Sequence, residues 1–208
     1  MKTKFNLAAI MLFLVLSACN SSQAESTNSF TSTRTPGNFY GIIVNANADV
    51  ILKQGETPSV CLEGDRNMVE QTKTTIENGA LVISGTSGRT VKVYVTIGEL
   101  SLIEVNGNAR VTSNDVMFSD ILLMKINGSG LINLDVRALT LGMIVKGKGK
   151  IVVSGSTGDS FARVYGAGKI QASNLDAFRF TEEIHSGEIA FGDEQVKGAK
   201  RPMLNIHQ

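Results

Sequence analysis

Along most of this chain, apolar and polar residues alternate in short runs, and small turns containing glycine interrupt the runs. Five of the turns share one shape: an aliphatic residue, a tight glycine-containing turn, then a second aliphatic residue. They read Val105-Asn-Gly-Asn-Ala-Arg-Val111, Ile126-Asn-Gly-Ser-Gly-Leu-Ile132, Val145-Lys-Gly-Lys-Gly-Lys-Ile151, Val164-Tyr-Gly-Ala-Gly-Lys-Ile170 and Ile184-His-Ser-Gly-Glu-Ile189. The aliphatic after the turn recurs at Ile132, Ile151, Ile170 and Ile189 in steps of 19, and Leu134, Val153, Ala172 and Phe191 keep the same step. Alternation at a period of two marks a strand with one buried face. Strand and turn repeated every 20 residues or so predict an all-β, single-domain parallel β-helix of about 19–21 residues per coil. Strand twist and the crossover rule favour a right-handed path.

The same periodicity predicts the interior. Leu122, Met124 and Ile126 alternate before one turn, and Leu139, Leu141, Met143 and Val145 before the next; all are expected to point inward. Stacked coils place like above like at about 4.8 Å. Gly107, Gly128, Gly147 and Gly166 then form a column at the turns, accompanied by Gly130, Gly149, Gly168 and Gly187. Phe178 and Phe180 read as bulky plugs near the C-terminal end. Before Leu100 the pattern is less regular. Asn45 to Asp49 is an imperfect first copy of the turn, Ser59–Leu62, Ala80–Ser84 and Val91–Ile97 read as strands, and residues 67–75 read as a short polar, helix-compatible stretch. We read this portion as an enlarged first coil with a strand pair as its cap, since a stack must protect its terminal unit. The head domain is assigned to residues 38–192, and residues 193–208, where the pattern fades, to a C-terminal cap or tail.

The first 18 residues are a targeting segment. Lys2 and Lys4 precede an apolar stretch, Leu7 to Leu16, that is too short to span a bilayer. It ends in Leu16-Ser-Ala-Cys19, which resembles a bacterial lipobox. That resemblance implies cleavage before Cys19 and its acylation, palmitate being one such chain; two or three acyl chains anchor stably where one does not. Residues 19–37 are then the lipidated cysteine and a flexible Ser/Thr/Asn-rich tether. Asn20, in place of the aspartate that favours inner-membrane retention, points to the outer membrane.

Formal net charge is +1, which gives no electrostatic case for nucleic acid. Cys61, flanked by strand-like residues, reads as a small buried hydrophobe. Gly142-Met-Ile-Val-Lys-Gly147-Lys148 has phosphate-loop spacing, but Gly149 replaces the hydroxyl residue and a strand follows instead of a helix. His185 and His207 are the only histidines, and no Cys/His set has metal-ligand spacing, so no cofactor or metal is expected. Glu182 and Glu183 beside His185 could form an acid/base group; a solvated terminal coil is the plainer reading. Arg110, Lys150 and Lys169 occupy equivalent places after the turn, and Lys146 and Lys148 sit inside one. On a solenoid these five line one edge as a basic stripe that could hold an anionic glycan or lipid phosphate. The alternative, which we favour, is that they keep stacked turns soluble and block lateral strand pairing.

Asp49-Val-Ile-Leu-Lys-Gln-Gly55, Leu62-Glu-Gly-Asp65, Asn78-Gly-Ala-Leu-Val-Ile83 and the serial Gly-x-Gly turns resemble the bacterial "putative auto-transporter adhesin, head GIN domain" family over roughly residues 38–192. The resemblance implies a parallel β-helix-like fold on secreted or lipid-anchored envelope proteins of Gram-negative bacteria. The chain departs from the family in its first turn, which lacks glycine, and in its closing segment, where Gly192-Asp-Glu-Gln-Val-Lys-Gly-Ala-Lys replaces a Gly-rich aromatic stretch. The expected function is a non-enzymatic adhesion or interaction module. It would bind a glycan or protein partner and be held to the membrane by its lipid, with oligomeric state open. A periplasm-facing scaffold and, more remotely, a β-helix carbohydrate-active enzyme are the alternatives.

Overall fold

The computed structural model describes residues 29–85, 90–192 and 194–197. The predicted signal segment, Cys19 and His207 lie outside them. In chain order the first strands are β1 (Phe30–Arg34), β2 (Gly41–Asn45), β3 (Ala48–Gln54) and β4 (Ser59–Gly64). Helix α1 (Arg66–Gln71) precedes β5 (Lys73–Glu77), β6 (Ala80–Ser84), β7 (Val91–Ile97), β8 (Leu102–Gly107) and β9 (Arg110–Ser113). Four long bent strands follow, β10 (Met117–Gly128), β11 (Leu131–Gly147), β12 (Lys150–Tyr165) and β13 (Lys169–Ile184), and then β14 (Glu188–Phe191) and β15 (Glu194–Lys197). They form the predicted β-solenoid, with three ladders of strands wrapped around one apolar core.

The first ladder stacks β6, β2, β8 and residues 122–128, 141–147, 160–165 and 180–184. The second stacks β7, β3, β9, the start of β11, β12 and β13, and then β14. The third contains residues 117–121, 136–140, 155–159 and 175–179. Ile132, Ile151, Ile170 and Ile189 stand directly above one another and are fully buried, as the step of 19 requires. Each such side chain contributes roughly 1.5–3 kcal/mol of burial.

The turn glycines are dictated by that stacking. Gly147 has φ 119°, and a Cβ on it would lie 2.6 Å from the carbonyl oxygen of Gly128 one coil below. No L side chain fits both the angle and the gap. The last turn is one residue shorter than the others, yet Ile189 keeps its step of 19. A register shift between β12 and β13, at Val152/Ser154, inserts the residue that the turn then omits.

Three expectations need correction. Leu139 does not point inward; it is exposed, whereas Leu141, Met143 and Val145 are buried. Inward positions are even-numbered through Ala138 and odd-numbered from Leu141, because the corner between the third and first ladders uses one residue and flips the alternation. Phe178 is likewise an exposed corner residue and not a plug, while Phe180 does pack on the core, its ring 3.9 Å from that of Phe191. Part of the expected tether is a strand: β1 pairs antiparallel with β4. Phe30 lies under the Arg66 guanidinium at 4.4 Å, and Arg34 donates to Thr74 Oγ1 at 2.9 Å.

The first coil is enlarged in an unexpected way. The rung made of β6 and β7 lies outside that made of β2 and β3, although it comes later in the chain. Antiparallel strands border it, β5 on β6 and β4 on β7. Helix α1, capped by Asp65 through Asn67 N–H, joins β4 to β5 and buries Val69 against the core. Cys61 is buried in β4. At the opposite end β15 adds one antiparallel strand to β14.

Candidate functional site

The structure sets the basic residues into columns that carry acids as well. Lys92, Asp49, Arg110, Leu131, Lys150, Lys169 and Glu188 are successive neighbours across the second ladder. Arg110 Nε lies 3.9 Å from Asp49 Oδ1, and Lys169 Nζ lies 2.9 Å from Glu188 Oε2. A leucine thus interrupts the stripe, and carboxylates flank the two cations at its ends. Lys146 belongs to a different column, in which Asn127 Nδ2 donates to Asn106 Oδ1 at 2.7 Å and Asn106 Nδ2 to Asn45 Oδ1 at 2.8 Å. Beyond the asparagines, Lys146 Nζ lies 6.0 Å from the Tyr165 ring, which stacks on His185 at 4.6 Å. Lys148 is exposed within the Gly147–Gly149 turn.

The polar side chains of the first ladder largely satisfy one another. Lys125 pairs with Glu104 at 3.2 Å, and Asn127 Nδ2 also donates to Glu104 Oε1 at 2.9 Å. Glu183 is shared between Arg163 Nε at 3.1 Å and His185 Nε2 at 2.8 Å, an exposed cluster at the outer end of the stack. The phosphate-loop spacing falls within β11 and its turn, where no helix N-terminus is present. Among the described residues no group of three or more His, Cys, Asp or Glu is placed to hold a metal ion.

The third ladder differs from both. Its outward side carries Phe118, Ile121, Leu139 and Phe178, exposed by 54%, 64%, 67% and 87%. Large apolar side chains concentrated on one surface of a soluble fold mark interaction sites more often than chance exposure. The ladder also starts late. Residues 117–121 are its first rung, and where another rung would lie the chain crosses by the short link Gly98 to Ser101. A half-open groove of about 690 Å³ occupies that place, lined by Tyr40, Gln54, Glu99, Ser101, the 118–121 segment and Arg137 to Leu139.

Each wall has a local cause. Gln54 ends β3, and its carboxamide copies a peptide group: Nε2 donates to the Phe118 carbonyl at 2.8 Å, and Oε1 accepts from Phe118 N–H at 2.8 Å. Ser119 Oγ donates to Leu100 O at 2.6 Å and Ser101 Oγ to Tyr40 O at 3.0 Å, tying link to rung. The Tyr40 hydroxyl donates to Asn78 O at 2.8 Å. The Arg137 guanidinium sits 5.8 Å from the Phe118 ring centre. Of the groove residues, the sequence pattern marks Leu139, as a core position, and Gln54, within the family-like Asp49–Gly55 stretch, and neither as part of a site.

Comparison with known proteins agrees with this architecture. A family model described as "Putative auto-transporter adhesin, head GIN domain" matches residues 38–190. The chain is similar in structure to a putative adhesin from Bacteroides fragilis, with a TM-score of 0.72 and 19% identity over 79% of this chain and 80% of that one. A putative adhesin from Parabacteroides merdae gives 0.62 and 18%, covering 77% and 79% of the two chains. A protein described as a putative lipid binding protein, from Parabacteroides distasonis, gives 0.63 and 19%, covering 79% and 82%. No curated protein matches the sequence.

Proposed function

The chain belongs to the family of the putative auto-transporter adhesin head GIN domain, and from that premise we propose that it is a non-enzymatic envelope lipoprotein whose solenoid serves as an adhesion or interaction module. The single observation that carries this reading is the row of exposed apolar side chains on the third ladder, with Phe118, Ile121 and Leu139 lining an open groove and Phe178 two coils further along. Folding alone would disfavour four such side chains on one ladder, whose exposed charges also include the Asp159–Arg179 pair. Acylation at Cys19 holds the module to the outer membrane, and the segment before Phe30 tethers it. The favoured partner surface is apolar with polar edges, as in transient protein interfaces.

The test is adherence of cells that carry the gene deletion, complemented with the wild-type chain, with Leu139→Ser/Phe178→Ser, or with Cys19→Ser. We expect wild type to restore attachment to host-protein-coated surfaces, and both variants to fail while still being produced. Attachment that survives deletion would overturn the adhesive role. In parallel, labelled palmitate should enter wild type and not Cys19→Ser.

A further inference from the structure

The open groove invites a question about what fills it, and the answer rests on the interaction role proposed above. We propose that the groove is a docking site for an extended polypeptide segment in which lysine or arginine side chains alternate with aliphatic ones.

Three features of the groove converge on that chemistry. The first is its shape. It lies where the third ladder lacks a rung, so its floor is the outer edge of a sheet that begins at residues 117–121. Neighbouring strands sit about 4.8 Å apart, and an extended chain is the object that continues such an edge. Gln54 occupies that edge at Phe118, its side-chain amide bonding both main-chain groups as a peptide unit would, so a docked chain pairs beyond that residue.

The second is the apolar lip. Ile121 and Leu139 are aliphatic, and both are well exposed beside Phe118. Branched aliphatic surface matches Val, Leu or Ile side chains. The Arg137 guanidinium stands beside the Phe118 ring.

The third is charge. Glu99 and Asp120 both line the groove, and neither takes part in an ion pair among the described residues. Arg137 is the one cation in the lining, so the carboxylates outnumber it. Some other acids do sit beside a base, as at Glu104 with Lys125 and Asp159 with Arg179. Unmatched carboxylates attract ammonium or guanidinium groups and repel phosphates and uronates. Tyr40, its hydroxyl fixed on Asn78 O, adds an aromatic surface on which such a cation can rest. A free fatty acyl chain would find an open, acid-bearing trough in place of a closed apolar cavity.

The experiment titrates two end-blocked hexapeptides, Lys-Val-Lys-Leu-Lys-Val and Glu-Val-Glu-Leu-Glu-Val, onto the intact detergent-solubilised protein. We expect the lysine peptide to bind with salt-sensitive affinity and its glutamate twin not to bind. Glu99→Gln/Asp120→Asn should weaken the lysine peptide about tenfold, as loss of charge-assisted contacts predicts. Leu139→Ser should weaken it as well. All three positions are exposed, so unchanged thermal melting would show that the fold is intact. Equal binding of the glutamate peptide, or indifference to the double variant, would overturn the proposal. Displacement by a chitosan hexamer at matching affinity would also overturn it, by assigning the groove to a cationic glycan. If neither peptide binds while Leu139→Ser/Phe178→Ser still abolishes attachment, the partner chemistry is wrong and the adhesive face stands. If the lysine peptide binds and attachment ignores those substitutions, the groove assignment stands without adhesion.

Discussion

The two ends of this solenoid are built by different rules. From Met117 to Phe191 each coil lies on the one before it, and register partners are 19–21 residues apart. Between Gly41 and Ile97 the chain makes one rung, leaves by β4, crosses the end with α1, and returns to lay β6 and β7 outside the rung it made first. The regular part needs a neighbour above and below and supplies it by repetition. The irregular part has to end the stack, so it borders its outer rung with antiparallel strands and a helix. Repetition therefore propagates a solenoid, but terminating one requires a break in the repeat.

The sharpest way to probe that contrast is through glycine. Gly147→Val should cost roughly 4 kcal/mol or more, since an unfavourable φ and a backbone collision act together. Gly107→Ala is the control at the first Gly-containing turn: φ is 116°, but nothing lies within 4 Å of the added Cβ. There the cost should be about 1–2 kcal/mol, from conformation alone. Urea unfolding midpoints check both, and equal losses would mean that stacking is not what selects glycine.

Core truncation comes next. Met143→Ala, in mid-stack, should lose about 2–4 kcal/mol, and Val69→Ala, under the capping helix, about 1–2 kcal/mol. If the cap variant matched the core variant, the end would be packed as tightly as the stack. A smaller effect is expected from Asp65→Ala, which removes the α1 N-cap and about 0.5–1 kcal/mol. Smallest of all, Leu139→Ser and Phe178→Ser should shift stability by less than about 0.5 kcal/mol. Loss of attachment without loss of stability would separate the third ladder from the two that hold the molecule together.

The regular part was legible because each coil restates the last. The column of Ile132, Ile151, Ile170 and Ile189 and the turn glycines could be read directly from the step of 19. What escaped was whatever breaks a one-dimensional pattern. Leu139 looked buried because alternation carries no mark of the corner that inverts it. β1, with its polar Thr31 to Arg34, resembles a linker until its partner β4 is known. The outer position of β6 and β7 was hidden because alternation says which way a strand faces and nothing of which strand it adjoins. The groove followed these losses: it forms where the out-of-order segment rejoins the stack through Gly98 to Ser101.

That out-of-order rung also has a kinetic consequence. Ile42 pairs with Leu81 on one side and Ile103 on the other, so its nearest ladder partner follows 39 residues later. As the chain emerges from its N-terminus, β2 and β3 must wait uncovered until both arrive. Every rung from β10 onward meets its neighbour after a loop about half as long, and shorter loops close with less entropy lost. We therefore expect the rungs from β10 onward to gain hydrogen-exchange protection during refolding before β2 and β3 do; simultaneous protection would show that the longer loops do not set the order.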